Sequence, residues 1–221
     1  MTHQLGRRIK KSIEFNAAGR RQTMRLHYAG KYSGNPDDLP HREHEPGAVP
    51  FKEVSDVKKL GKLIAMRSVI IIIVLVIAAW IRAGDVFFPY SAIFLYLLTV
   101  VPHEILHALC FKEDVYLYHN LSNGMLFVTG PETMSKTRFL VKCLLPSVIL
   151  GFIPYIIFLI YPKYHMLGIL GALGIASAAG DFYNAGNALR QIPKGGRAYA
   201  YKENTFWYIP GKEQAETQAE E

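Results

Sequence analysis

Apolar residues are concentrated between positions 63 and 189, where four long stretches carry almost no charge. These stretches are residues 68–81, 86–111, 143–161 and 164–189. Their only formal charges are Glu104 and Asp181. An α-helix needs about 20 apolar residues to cross the hydrocarbon core of a bilayer. The first stretch is shorter, but the long side chains of Arg67 and Arg82 at its ends can extend to the headgroups. The pattern predicts four transmembrane helices, the last two joined by a tight turn at residues 162–163.

The positive charges of the chain orient these helices. Of the 25 Lys and Arg residues, 23 lie in residues 1–67, 112–142 and 190–221, and the other two are Arg82 and Lys163. Because Lys and Arg are retained on the cytoplasmic side, we expect four crossings of the cell membrane with both termini in the cytoplasm. The formal net charge of +7 is then a signal for topology and for anionic lipid. Nucleic-acid binding is not expected, since no binding motif accompanies the basic residues.

The polar regions contain two predicted β-hairpins, at residues 115–128 and 198–209, each with β-branched or aromatic residues on both sides of a turn. The sequence therefore predicts an all-α membrane protein with four transmembrane helices, a cytoplasmic β-hairpin between helices 2 and 3, and short cytoplasmic terminal extensions. The expected organisation is a basic cytoplasmic N-terminal region (1–62), a membrane domain (63–190) and a cytoplasmic tail with an acidic end (191–221).

The second apolar stretch contains His103-Glu104-Ile-Leu-His107, a sequence of the form HExxH. On a helix, residues four apart share one face, so both imidazoles can bind one zinc ion while Glu104 can polarise a water beside it. An unpaired carboxylate in an apolar helix costs about 2 to 3 kcal/mol, and ionisable groups at membrane depth are by default functional. The pattern indicates a zinc site within the membrane. Pro102, directly before it, favours a kink at a polar cavity.

A zinc hydrolase site commonly takes three protein ligands and leaves one position for water, so the HExxH pattern requires a third donor. The second and fourth helices are expected to run in the same direction. His103 lies nine residues before Lys112, and Asp181 lies nine residues before Arg190. At about 1.5 Å per residue, the histidines and the aspartate share a depth of roughly 7 to 14 Å below the cytoplasmic boundary. Asp181 is therefore the favoured third ligand.

Other residues support or compete with this prediction. Small residues recur every four positions, a pattern that lets membrane helices pack closely; they are Gly168, Ala172, Ala176 and Gly180. Asn184 continues the stripe and is predicted either to hold Asp181 or the water, or to donate to the developing oxyanion. His119 and Glu132, in the connection between the second and third helices, are alternative third ligands.

A membrane-embedded HExxH helix followed by a later helix with an Asp and an Asn resembles the site-2 type of intramembrane metalloprotease. The residues that carry this resemblance are His103, Glu104, His107, Asp181 and Asn184. The chain is still more similar, over residues 52–189, to the zincin peptidase family of small bacterial membrane proteins. The resemblance implies a zinc cofactor, Glu104 as the catalytic acid and base, and Asp181 as third ligand. Site-2 proteases usually have Leu-Asp-Gly around the aspartate, whereas this chain has Gly-Asp-Phe at 180–182.

The predicted function is zinc-dependent cleavage of membrane or membrane-adjacent polypeptides near the cytoplasmic face. The expected partners are the lipid bilayer and a polypeptide substrate, which the hairpin at 115–128 could hold extended by strand addition. The alternative is a non-catalytic membrane scaffold or adaptor with a structural or vestigial zinc site. Membrane di-iron oxygenases need several Glu-x-x-His elements, and the apolar stretches contain one.

Overall fold

The computed structural model describes residues 24–54, 56–84, 90–121 and 124–211, which are mostly helical. The helices are α1 (Val57–Ala83), α2 (Tyr90–Ala108), α3 (Lys136–Ser147), α4 (Ile153–Ile160), α5 (His165–Ser177) and α6 (Ala179–Gln191). A π-helical turn, Val148–Phe152, joins α3 to α4. Residues 1–23 of the basic N-terminal region and the acidic end at 213–221 lie outside the described residues.

α1 and α3 begin before the apolar stretches that predicted them, because polar residues cap both helices at earlier positions. α1 begins at Val57 rather than at position 68, and the Asp56 carboxylate accepts hydrogen bonds from main-chain N–H groups of its first turn. It ends at Gly84, whose φ of 79° gives the left-handed conformation that glycine adopts without strain. α3 begins at Lys136 rather than at position 143, where the Ser135 hydroxyl caps its first turn.

Three of the described helical stretches are long and apolar enough to cross a membrane: Lys58–Ala83, Ser91–Ala108 and Lys136–Ile160. α5 and α6 pass the same test only as a pair, bent by 50°, and make a fourth span if the pair counts as one. The expected continuous helix over residues 164–189 is thus broken at Ala178. The break puts Asp181 in the first turn of α6, where the helix dipole favours a negative charge.

α4 and α5 form the expected hairpin, and α5 approaches α4 and the π-helical turn before it closely at glycines. A Cβ atom at Gly171 would lie 2.5 Å from the main-chain nitrogen of Tyr155, and a Cβ atom at Gly174 would lie 2.5 Å from the carbonyl oxygen of Leu150. These distances are far below van der Waals contact, so only glycine fits at either position.

The glycines in close contact recur every three residues, at Gly168, Gly171 and Gly174. The predicted stripe, in which small residues from Gly168 to Gly180 recur every four positions, is correct only in part. Gly168 does face α4, where a Cβ atom would lie 2.7 Å from the ring of Phe158. Gly180 instead faces α1, where a Cβ atom would lie at the ordinary distance of 3.8 Å from Ile64.

The described residues also contain two small sheets, so the all-α fold class was too narrow. The strands are β1 (Leu26–Lys31), β2 (Val49–Pro50), β3 (Val115–Asn120), β4 (Met125–Thr129), β5 (Met134–Ser135), β6 (Arg197–Tyr201) and β7 (Asn204–Tyr208). The first sheet has the order β1-β3-β4 and the second the order β2-β7-β6-β5. The antiparallel pairs β3–β4 and β6–β7 are the two predicted hairpins. β1 pairs parallel to β3, a contact between distant segments that local patterning does not reveal.

A buried apolar cluster ties α2, α3 and α6 to the second sheet. Its members include Ala108, Met134, Phe139, Cys143, Ala185, Ala188 and Ala198. Close packing of such a cluster fixes the spacing of the helices that contribute to it. It therefore positions the polar side chains that α2 and α6 direct toward each other.

Candidate metal centre

Two histidines of α2 and one aspartate of α6 meet between these helices. His103 Nε2 and His107 Nε2 are 3.1 Å apart, because residues four apart share one helical face. Asp181 Oδ2 lies 3.3 Å from His103 Nε2, and Asp181 Oδ1 lies 3.4 Å from His107 Nε2. The three side chains are between 10% and 18% exposed. The predicted juxtaposition of these residues is therefore present in the structure.

The arrangement fits a tetrahedral metal ion. Zinc–ligand distances of about 2.0 to 2.1 Å with tetrahedral angles place neighbouring ligand atoms about 3.3 Å apart. The two imidazole nitrogens are 3.1 Å apart, and Asp181 presents one oxygen 3.3 Å from His103 Nε2 and its other oxygen 3.4 Å from His107 Nε2. With one ligand atom from each residue, the three atoms lie within 4.8 Å of one another, so the group could hold a metal ion. Two imidazole nitrogens and a carboxylate are ligand types that zinc takes, and three protein ligands leave a fourth position for water or substrate.

A main-chain carbonyl on α3 orients His107. His107 Nδ1 lies 2.8 Å from the carbonyl oxygen of Lys142. A carbonyl oxygen only accepts hydrogen bonds, so the proton of the neutral imidazole lies on Nδ1 and the lone pair on Nε2. Nε2 is the atom that faces His103 and Asp181. The contact therefore selects the tautomer that a metal ligand needs.

Glu104 lies beside the histidines and is held by the first sheet. Its Oε2 atom accepts a hydrogen bond of 3.0 Å from the main-chain N–H of Val128. Val128 lies on β4, an outer strand in the described part of the first sheet. The carboxylate is therefore anchored between the HExxH helix and a strand edge.

The remaining predicted residues are not members of the metal-binding group. Asn184 is half-buried in α6, and no side-chain hydrogen bond joins it to another described residue. His119 Nδ1 lies 3.0 Å from the hydroxyl of Tyr28. The Glu132 carboxylate accepts main-chain hydrogen bonds and pairs with Arg138. Neither alternative third ligand belongs to the group, which uses Asp181.

Two contributors to this region were not predicted from the sequence. The Lys142 carbonyl and the Val128 N–H are main-chain groups, so the residue types at 142 and 128 give no direct signal for them. The signal that could have found the Lys142 carbonyl is Pro146, which has no N–H group to bond it. Asn187 on α6 is 6% exposed, and its Nδ2 atom has no hydrogen-bond acceptor among the described residues. A buried amide in an apolar segment is visible in the sequence, but its burial depends on how α6 packs against α3.

Comparison with known proteins identifies the family that this region resembles. Residues 96–196 match the model of a family described as "Putative zincin peptidase". The match covers less than half of the chain, but it includes Glu104 and all three members of the metal-binding group. The resemblance to zincin peptidases is confirmed over these residues, and it supports a metallopeptidase. Comparisons with curated proteins and with solved structures gave no match.

Proposed function

We propose that the chain is a zinc-dependent endopeptidase embedded in the cell membrane, which cleaves membrane or membrane-adjacent polypeptides near the cytoplasmic face. The observation that carries the proposal is the convergence of His103, His107 and Asp181 at ligand separations. Glu104 lies on the same helix, and that helix is apolar enough to cross a bilayer. The family match over residues 96–196 supports the same activity.

The proposed chemistry assigns one role to each side chain of the site. A zinc ion held by the two histidines and Asp181 would lower the pKa of a water and polarise the scissile carbonyl. Glu104 accepts the proton of the attacking water and returns it to the leaving amine. The Lys142 carbonyl keeps the His107 ring in its ligating tautomer. Asn184 is proposed to donate a hydrogen bond to the oxyanion as the carbonyl carbon becomes tetrahedral.

The edge of β4 is the proposed binding surface for an extended substrate. An unpaired strand edge offers main-chain donors and acceptors to an added strand. In the described residues, the Val128 N–H on this edge donates to Glu104. A substrate carbonyl that pairs with Val128 would take this donor and release the Glu104 carboxylate for proton transfer. Strand addition would thereby align the substrate and free the base in one step.

The membrane arrangement is part of the proposal. We propose four crossings, with α5 and α6 together forming the fourth, and both termini in the cytoplasm. The distribution of Lys and Arg supports this orientation. The metal centre then lies inside the bilayer, close to the cytoplasmic boundary, and both hairpins lie on the cytoplasmic side.

Metal analysis and cleavage of a defined probe test the proposal together. The chain is purified in detergent and reconstituted with fluorogenic peptides that each carry one transmembrane segment. We expect one zinc ion per wild-type chain, and loss of that ion in His103→Ala and in Asp181→Ala. Glu104→Gln should keep the zinc, because Glu104 is not a ligand, and should slow cleavage at least 100-fold, as expected when a general base is removed.

His119→Ala is the matched control, because His119 was an alternative ligand and lies apart from the centre. It should retain both the zinc and the cleavage rate. A wild-type chain that binds zinc but cleaves none of the peptides, with an unchanged cellular phenotype in Glu104→Gln, would favour the non-catalytic scaffold. A chain that binds no zinc would contradict both functions.

A further inference from the structure

Pro146 lies inside α3, four residues after Lys142, and is less than 2% exposed. In an α-helix the carbonyl of each residue accepts a hydrogen bond from the N–H group four residues later. Proline has no N–H group. The Lys142 carbonyl therefore lacks its usual donor within the helix, and it needs a donor from elsewhere because α3 is part of an apolar span.

The missing donor is supplied by His107. Its Nδ1 atom lies 2.8 Å from the Lys142 oxygen, and His107 is buried. An unpaired carbonyl in an apolar environment is unfavourable, so a His107 ring that turned away or shifted its proton to Nε2 would leave the Lys142 oxygen unsatisfied. The carbonyl and the ring thus satisfy each other.

We propose that Pro146 is a positioning residue for the metal centre. By supplying no N–H group, it leaves the Lys142 carbonyl as a dedicated acceptor for His107 Nδ1–H, which holds the His107 Nε2 lone pair toward His103 and Asp181. The consequence for metal binding rests on the function proposed above. The effect on the tautomer of His107 does not depend on that function, because the tautomer can be measured on protein from which metal has been removed.

The zinc affinity of variants at position 146 tests the effect of Pro146 on metal binding. Pro146→Ala introduces an N–H group that competes for the Lys142 oxygen, and we expect zinc affinity to fall about tenfold, within the range found when a group that orients a metal ligand is lost. Pro146→Val adds the same N–H group on a side chain with three carbon atoms, as in proline, and should weaken zinc binding to a similar degree. Competition with a fluorescent zinc chelator in micelles measures both changes.

Pro154→Ala is the matched control. Pro154 also lies in the α3–α4 span, but the carbonyl four residues before it belongs to Leu150, which packs against α5 at Gly174. Zinc affinity should stay within twofold of wild type in this variant. An equal loss in Pro154→Ala, or no loss in the two variants at Pro146, would overturn the proposal.

The tautomer of His107 gives a readout that a general packing role for Pro146 would not change. In EDTA-treated protein with ¹⁵N-labelled histidine, we expect long-range ¹H–¹⁵N spectra to show the proton of His107 on Nδ1. Pro146→Ala should move part of the population to the Nε2–H form. Lactic acid at position 146, the ester counterpart of alanine, has no N–H group and should restore both the tautomer and the zinc affinity.

Identical behaviour of the lactic acid and alanine proteins would show that the proline ring, and not the missing N–H group, determines the effect, and would refute the proposal. The measurements of zinc affinity and of the His107 tautomer also separate this proposal from the proposed function. If the wild-type chain bound no zinc, the peptidase function would fail while the tautomer shift still tested the role of Pro146.

Discussion

Glu132 is 5% exposed, yet it lies apart from the histidines. Its Oε2 atom accepts hydrogen bonds from the main-chain N–H groups of Lys112 at 2.6 Å and Glu113 at 3.0 Å. Its other oxygen pairs with the guanidinium of Arg138. Through these contacts, Glu132 connects residues 112–113, just after α2, to the first turn of α3. At the scale of single residues, this carboxylate therefore supports the HExxH helix without being a ligand.

Glu132→Gln tests this structural role. We expect a loss of about 2 kcal/mol in the free energy of unfolding, since hydrogen bonds to a charged group contribute about 1.5 to 3 kcal/mol. Unfolding in mixed micelles with increasing SDS measures the loss. Zinc stoichiometry should stay at the wild-type value, and a loss of zinc from this variant would reinstate Glu132 as a ligand.

Glu113→Gln is the control for that experiment. Burial, and then the nearby charge of Glu132, raise the pKa of the Glu113 carboxyl above its usual value. A group whose pKa is raised by folding contributes stability that is present below its unfolded pKa and is lost as the pH rises through its folded pKa. Removing this carboxyl should therefore leave stability at neutral pH unchanged or slightly higher. A marked loss would mean that Glu113 makes a contact of its own.

At the scale of elements, the α4–α5 hairpin is closely packed. Its two helices are joined by residues 161–164 and are in contact at glycines that leave no room for a Cβ atom. α5 leads directly into α6, so a shift of α5 would displace Asp181 as well. The hairpin thereby connects helix packing to the geometry of the metal centre.

Gly174→Ala tests how closely α5 is packed in this hairpin. The added Cβ atom would lie 2.5 Å from the Leu150 carbonyl oxygen, and overpacking of this kind costs about 1 to 3 kcal/mol. In Gly180→Ala the nearest atom would be 3.8 Å away, so the change should be neutral, or stabilising by up to about 1 kcal/mol through helix propensity. SDS unfolding of the two variants compares them. Equal stabilities would show that α5 is not closely packed against the π-helical turn at Gly174.

At the scale of the whole molecule, the bend between α5 and α6 determines how many times the chain crosses the membrane. If the bent pair is one span, there are four crossings and both ends of the described chain lie on one side. If the pair instead enters and leaves on one side, there are three crossings and the ends lie on opposite sides. The charge distribution supports the first arrangement, because the region from residue 190 onward is basic before its acidic end.

Reporter fusions decide between the two arrangements. With four crossings, a fluorescent protein fused after Gly211 or before residue 1 should fold and fluoresce in the cytoplasm, and alkaline phosphatase fused after Lys163 should be active outside. Alkaline phosphatase activity from the fusion after Gly211 would support three crossings. It would also require that α5 and α6 form a re-entrant pair.

The site was predictable from the sequence because its side chains are chemically distinctive. A His-Glu-x-x-His pattern in an apolar stretch, and a single acid at the matching depth of a later stretch, predict that His103, His107 and Asp181 lie together. The spans followed from the length of the apolar stretches, and both hairpins followed from strand-forming residues on either side of a turn; both signals are local properties of the chain. The ends of the helices were less predictable, because capping by residues such as Asp56 and Ser135 extends them into polar sequence.

The amino-acid sequence is sufficient to identify the side chains that can bind a metal ion and the apolar segments that carry them. The main-chain groups that hold these side chains, the Lys142 carbonyl on His107 and the Val128 N–H on Glu104, are evident only in the folded chain. The same holds for the break at Ala178 and for the parallel pairing of β1 with β3. Main-chain groups are the same at nearly every position, so the choice among them depends on which distant segments pack together.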